Sequence, residues 1–148
     1  MVELKDGSIL LWIRTNAGCQ FMSRSADRGE TWSAPQPSWL RAPTSPATIK
    51  RLPTGDLLVV WNDHESRFDL KRNGGWDGKR TPLSAAISSD EGKTWRGAKV
   101  IESDPKGHFC YIAVHPLDDG TVLLGYCAYC GLGHTRLVKV PVEWFYNK

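Results

Sequence analysis

Apolar positions along the chain gather in short runs, each set off by a turn dipeptide. Ile9 to Ile13 follows Asp6-Gly7, Leu57 to Trp61 follows Gly55-Asp56, and Val122 to Leu124 follows Asp119-Gly120. Glycine supplies the positive φ that a tight reversal needs, so each place reads as a hairpin leading into an apolar strand. A 3.6-residue period is nearly absent. Prolines at 35, 37, 43, 46, 53, 82, 105, 116 and 141 break up what little remains. The pattern predicts an all-β chain.

A second pattern repeats with it. Ser25-Ala-Asp27-Arg-Gly29-Glu-Thr31-Trp32 and Ser88-Ser-Asp90-Glu-Gly92-Lys-Thr94-Trp95 share the form S-x-D-x-G-x-T-W, and their tryptophans lie 63 positions apart. The aspartate can accept backbone N–H bonds across a turn, the glycine makes the reversal, and the tryptophan folds back as an apolar lid. Each copy follows one of the hairpin-plus-strand elements, and a third such element begins at Leu117. Three blade-like units follow, at about 1–45, 46–107 and 108–148. The middle one is lengthened by the polar stretch 62–80, and connections of that length commonly serve a site or move.

Composition narrows the function classes. The 148 residues carry a net charge of +3, are 41% hydrophobic and hold four cysteines. The scattered, modest charge gives no reason to expect nucleic acid or an anionic membrane as partner. No apolar run approaches the roughly 18–20 residues of a membrane-spanning helix, and neither terminus has the pattern of a secretory signal or lipidation site. Cys19, Cys110, Cys127 and Cys130 are too few and too unevenly spaced for a disulfide scaffold. Cys127 and Cys130 form a lone CxxC, which zinc would have to complete with ligands such as Cys110 or His108; burial in a strand is the plainer reading. No cofactor or metal is expected.

The repeated S-x-D-x-G-x-T-W resembles the Asp box, or BNR repeat, of the sialidase (neuraminidase) superfamily, whose members are six-bladed β-propellers. The resemblance implies a β-propeller of sialidase type, with about three four-stranded antiparallel blades in this chain. A blade takes roughly 40–50 residues, so the chain reads as the C-terminal half of a ring. The boxes themselves (Ser25, Asp27, Gly29, Trp32; Ser88, Asp90, Gly92, Trp95) are expected to be structural, since Asp boxes lie on the rim of such propellers, away from the central cleft.

Sialidases hold the substrate carboxylate with three arginines and attack the anomeric carbon with a tyrosine partnered by a glutamate. A phenol avoids the repulsion that a carboxylate nucleophile would meet, and guanidinium forks bind the carboxylate bidentately. Met1 to Arg14 (MVELKDGSILLWIR) is similar to the family segment ending in the second arginine, which gives that role to Arg14. The segment opened by Arg80 and running into the second Asp box resembles the strand of the third arginine. Tyr111, at the head of Cys110 to Gly120, matches the nucleophile. This chain reads Ile112 where a serine commonly follows the tyrosine, and Gly125-Tyr126-Cys127 where relatives often carry an acidic residue. The glutamate partner, the first arginine and the acid/base aspartate would all fall outside the sequence.

Plainer readings exist for each residue: ion-paired surface arginines for Arg14 and Arg80, and a core tyrosine for Tyr111. Asp63 and His64 form either an acid/base pair over the cleft or solvated loop charge. Arg67, Arg72 and Trp76 of the same loop are candidates for sugar contacts. His108, His115 and His134 have no partners at ligand spacing. The function implied is a retaining glycosidase of exo-α-sialidase type acting on an acidic sugar, inactive as this fragment alone. The alternatives are a non-catalytic glycan-binding or scaffold propeller, or a propeller hydrolase for another acidic sugar. Expected partners are a carbohydrate and either the remaining half of the ring or a second copy meeting an open blade face.

Overall fold

A computed structural model of the chain describes residues 1–64, 79–129 and 133–147. The described chain is all-β, without an α-helix, as the pattern predicts. Strands β1 (Val2–Glu3), β2 (Ile9–Ile13), β3 (Cys19–Ser25) and β4 (Gln36–Arg41) form one antiparallel sheet in that order. A second sheet holds β5 (Thr48–Arg51), β6 (Leu57–Asn62), β7 (Leu83–Ser88) and β8 (Arg96–Glu102). The third holds β9 (Cys110–Pro116), β10 (Thr121–Ala128) and β11 (His134–Pro141). It has three strands instead of four among the described residues, and the chain turns from β11 into a 3-10 helix, Val142–Phe145.

The first strands of the sheets are neighbours, β1 against β5 and β5 against β9. Arg51 donates to the Glu3 carbonyl at 2.8 Å, and the Thr48 hydroxyl donates to that of Ile112 at 2.5 Å. The sheets therefore fan out from a shared inner edge, with apolar side chains filling the gaps. Between the first and second sheets lie Leu10, Trp12, Leu40, Leu57, Val59 and Trp61. Between the second and third lie Leu58, Val60, Leu83, Phe109, Ile112 and Leu124. Because both faces of the middle sheet are covered, every residue of β6 and β7 is buried, whereas β2 and β10 alternate.

The two Asp boxes close the turns β3–β4 and β7–β8 in the same way. Ser25 and Ser88 sit opposite Ile9 and Leu57, the first residues of the apolar strands. Each serine hydroxyl donates to the box aspartate (2.7 and 2.8 Å) and accepts from the glycine N–H (2.8 Å in both). Each aspartate also accepts from the N–H and the hydroxyl of Thr31 or Thr94. Arg28-Gly29 and Glu91-Gly92 all have φ between 59° and 98°, the signature of a type I′ turn. A Cβ on Gly92 would stand 3.1 Å from Leu10 of the neighbouring sheet, so this glycine answers to packing as well as to conformation. The boxes differ in surroundings. Trp95 packs edge-on to Trp12 at 6.0 Å and lies 6.2 Å from Trp39, while Trp32 stays 39% exposed, donating to the Gly29 carbonyl.

The strand order gives the fan two distinct ends. The Asp-box turns and the β1–β2, β5–β6 and β9–β10 hairpins occupy one. The β2–β3, β6–β7 and β10–β11 connections, and the links from sheet to sheet, occupy the other. Contacts between sheets respect this division. At the box end, Glu91 receives Arg51 at 2.8 Å and the Lys5 N–H at 2.9 Å. At the other end, Arg80 reaches the Thr44 carbonyl at 3.3 Å and the His64 N–H donates to that of Arg41. No helix among the described residues is long and apolar enough to cross a membrane.

Candidate functional site

Arg80 and Tyr111 meet at the end opposite the Asp boxes. The guanidinium carbon of Arg80 lies 5.2 Å from the centre of the Tyr111 ring, a cation–π contact between the second and third sheets. Tyr111 is 55% exposed and so is not the core tyrosine that its apolar neighbours allow. Its backbone explains why it stands out. Gly125 pairs with Ala113 and Cys127 with Cys110, so Tyr111 and Ile112 together face the single residue Tyr126 across a β-bulge. At the bulge Tyr111 has φ 55°, a left-handed conformation that costs a bulky residue about 1–3 kcal/mol. A partly exposed cation–π pair returns about 0.5–1 kcal/mol, so the conformation is imposed mainly by β9–β10 pairing on either side.

Buried groups hold the backbone under both residues. Asn62, at the end of the wholly buried β6, donates from its amide to the Arg80 carbonyl at 2.8 Å and to the Phe109 carbonyl at 2.9 Å. The Phe109 N–H returns to the same Arg80 carbonyl at 2.9 Å. Phe109 is itself pinned edge-on to Tyr126 and Tyr129, at 6.1 and 6.0 Å. Gly107 makes that placement possible, because a Cβ there would fall 2.3 Å from the Phe109 ring. Burial pushes the Cys110 thiol above its usual range, opposed by the adjacent Arg80 guanidinium.

The remaining predicted residues distribute unevenly. Arg14 follows β2 at the same end of the fan, exposed, in a loop shaped by the Thr15 hydroxyl donating to the Cys19 carbonyl. No hydrogen bond or ion pair joins it to Arg80 or Tyr111 among the described residues. Asp63 is half-buried, its N–H donating to the Pro82 carbonyl. His64 is 7% exposed, which does not fit the reading of it as solvated loop charge. Arg67, Arg72, Trp76 and Cys130 lie outside the described residues. The Asp-box residues sit at the far end of the blades, with no contact to Arg80 or Tyr111. A cavity of about 250 Å³ lined by Ile87, Arg96, Phe145 and Tyr146 also lies toward that end. Among the described residues, no group of three or more His, Cys, Asp or Glu is placed to hold a metal ion.

Two features escape a reading of the sequence. Asn62 is one; its signal is an amide closing a fully apolar run. The other is a second tyrosine–glutamate pair. Tyr126 donates to Glu102 at 2.6 Å, and Arg136 ion-pairs with the same carboxylate at 2.5 Å. Burial and the neighbouring carboxylate hold the Tyr126 hydroxyl far above the usual phenol range. Only 1% exposed, Tyr126 ties the second sheet to the third and is out of reach of any substrate.

Comparison with known proteins places this geometry. The model of the BNR repeat-like domain matches residues 1–124. The leech intramolecular trans-sialidase, solved with 2,7-anhydro-Neu5Ac, superposes with a TM-score of 0.71 at 18% identity, over 95% of this chain and 23% of that one. The Ruminococcus gnavus intramolecular trans-sialidase, solved with oseltamivir carboxylate, gives 0.72 at 17% identity, over 99% of this chain and 32% of the other. The NanB sialidase of Streptococcus pneumoniae gives 0.69 at 19% identity, over 97% and 23%. The chain thus spans about a quarter to a third of the length of these solved proteins. No curated protein sequence matches. By its matched domain and its blade architecture, the chain belongs to the BNR repeat-like family and folds as blades of a sialidase-type β-propeller.

Proposed function

We propose that, in a ring completed to six blades, this chain supplies part of the active site of a retaining exo-α-sialidase. The observation that carries the reading is the exposed Tyr111, displayed by a strained bulge beneath the Arg80 guanidinium. Arg80 and Arg14 would bind the carboxylate of an acidic sugar. The Tyr111 hydroxyl oxygen would attack the anomeric carbon as the glycosidic C–O bond breaks. The phenolic proton passes to a base and the leaving oxygen takes a proton from an acid. Both of those groups would belong to the rest of the ring, as would the first arginine of the triad. Water then attacks the same carbon and frees Tyr111. The trans-sialidases and the sialidase on which the chain superposes support an acidic sugar as ligand.

A second reading is a glycan-binding propeller without catalysis. It is favoured by Ile112 and Cys127, which stand where sialidases commonly carry a serine after the tyrosine and an acidic residue after the last apolar strand. Turnover of an aryl α-sialoside by the six-bladed protein separates the two. Under the first reading kcat/KM falls by roughly two to three orders of magnitude in Arg80→Gln, the range for loss of a positioned charge-stabilising donor. Saturable sugar binding with no aryl alcohol released by the unaltered protein rejects that reading in favour of the second.

A further inference from the structure

Cys110 opens β9, and Cys127 lies directly opposite it on β10, at the edge of the bulge that carries Tyr111. Opposed residues of an antiparallel pair have Cα atoms about 4.5–5.5 Å apart, inside the span that a disulfide bridges. Their side chains project from the same face of the sheet. Both cysteines are free thiols, and the Cys110 thiol interacts with the Cys127 thiol and with the Arg80 guanidinium. Cys110 is fully buried, whereas Cys127 is partly exposed.

We propose that Cys110 and Cys127 form a reversible cross-strand dithiol, oxidised to a disulfide by low-molecular-weight disulfides of the glutathione type, which adjusts the Arg80–Tyr111 pair. The chemistry is two thiol–disulfide exchanges. Cys127, the accessible partner, loses its proton and attacks one sulfur of the small disulfide. That S–S bond breaks, one small thiol leaves with the electron pair and a proton, and a mixed disulfide remains on Cys127. Cys110 then loses its proton and attacks the Cys127 sulfur, expelling the second small thiol. Two protein thiols are oxidised and one small disulfide is reduced to two thiols. Arg80 beside Cys110 favours the attacking thiolate, against the burial that disfavours it. Bridging fixes the Cys110 sulfur on Cys127 and removes its interaction with Arg80, at the position just before Tyr111. That this adjusts a working site rests on the glycosidase reading; the pairing itself does not.

The test equilibrates the full 148-residue chain in glutathione buffers from fully reduced to fully oxidised, quenches by alkylation and maps the bridges by mass spectrometry. In parallel, the ring resonance of Tyr111 is followed in tyrosine-labelled protein, assigned with Tyr111→Phe. Alkylation is expected to be lost from Cys110 and Cys127 together, regained on reduction, and still lost from both in Cys130→Ser. The Tyr111 resonance is expected to move with it. Thiols that stay alkylatable throughout, a Cys127–Cys130 bridge, or a glutathione adduct on Cys127 that never resolves would overturn the pairing. A Cys110–Cys127 bridge with an unmoved Tyr111 resonance would overturn the coupling. Neither readout uses turnover, so failure of the glycosidase reading leaves both intact.

Discussion

Tyr111 occupies a backbone region that costs a side chain of its size free energy, and it does so on a strand whose other residues alternate regularly between buried and exposed. The strain is stored by the pairing around it and held from below by Asn62, Phe109 and Gly107. Asn62→Ala removes both donated bonds and leaves the Phe109 carbonyl without that donor in a buried place. The expected loss is about 2 kcal/mol, in the range for stranding a buried polar group, read from urea denaturation. A loss below about 0.5 kcal/mol would show that the amide does not hold this corner. Family motifs single out Arg80 and Tyr111 as candidates, whereas Asn62 shows only as an amide closing an apolar run, with nothing local to say what it binds. Its partners are carbonyls 18 and 47 residues away, and a carbonyl carries no residue identity.

The Asp boxes are the elements most legible in the sequence, because the bonds among their serine, aspartate, glycine and threonine are local and recur in both copies. Their aspartates show it in their acidity. Hydrogen bonds, foremost from Thr31 and Thr94, hold Asp27 and Asp90 at about 2, well below the ordinary 3.8. Glu91, inside the second box, is held at about 2 by Arg51 first and then by the Lys5 N–H. Lowered folded-state values mean that unfolding takes up protons in acid, so this stability is complete above the unfolded pKa values and is lost as pH falls through the folded ones. The melting temperature should stay level above about pH 5 and drop between about pH 4.5 and 2. Glu91→Gln should reduce the steepness of that drop and cost about 1 kcal/mol or less at neutral pH, since the pair is partly exposed. A melting temperature level down to pH 2 would contradict the assignment. What the local motif does not reveal is the neighbour: Trp32 and Trp95 read alike, but only Trp95 is covered, by Trp12 and Trp39 of the adjoining sheet.

The same lesson holds for the whole molecule. The apolar runs of β2 and β6 look interchangeable in the sequence. Yet Leu57, Val59 and Trp61 are buried against the first sheet, while Ile9, Leu11 and Ile13, at the matching positions, remain half-exposed. Which face of a blade is covered depends on the blade beside it, and no local pattern encodes that. The half-exposed face of the first sheet should drive association of the isolated chain, seen as concentration-dependent sedimentation and relieved by Leu11→Lys. A monomer at all concentrations would contradict this. The central claim concerns the proposed role of Tyr111, which lies against Arg80 at the end of the blades away from the Asp boxes. Its most direct measurement is the intact mass of the six-bladed protein, quenched during turnover of an aryl α-sialoside and mapped by digestion. The account predicts one sialyl adduct on Tyr111 that is missing, together with turnover, in Tyr111→Phe. Undiminished turnover in that variant, or an adduct on another residue, would contradict it.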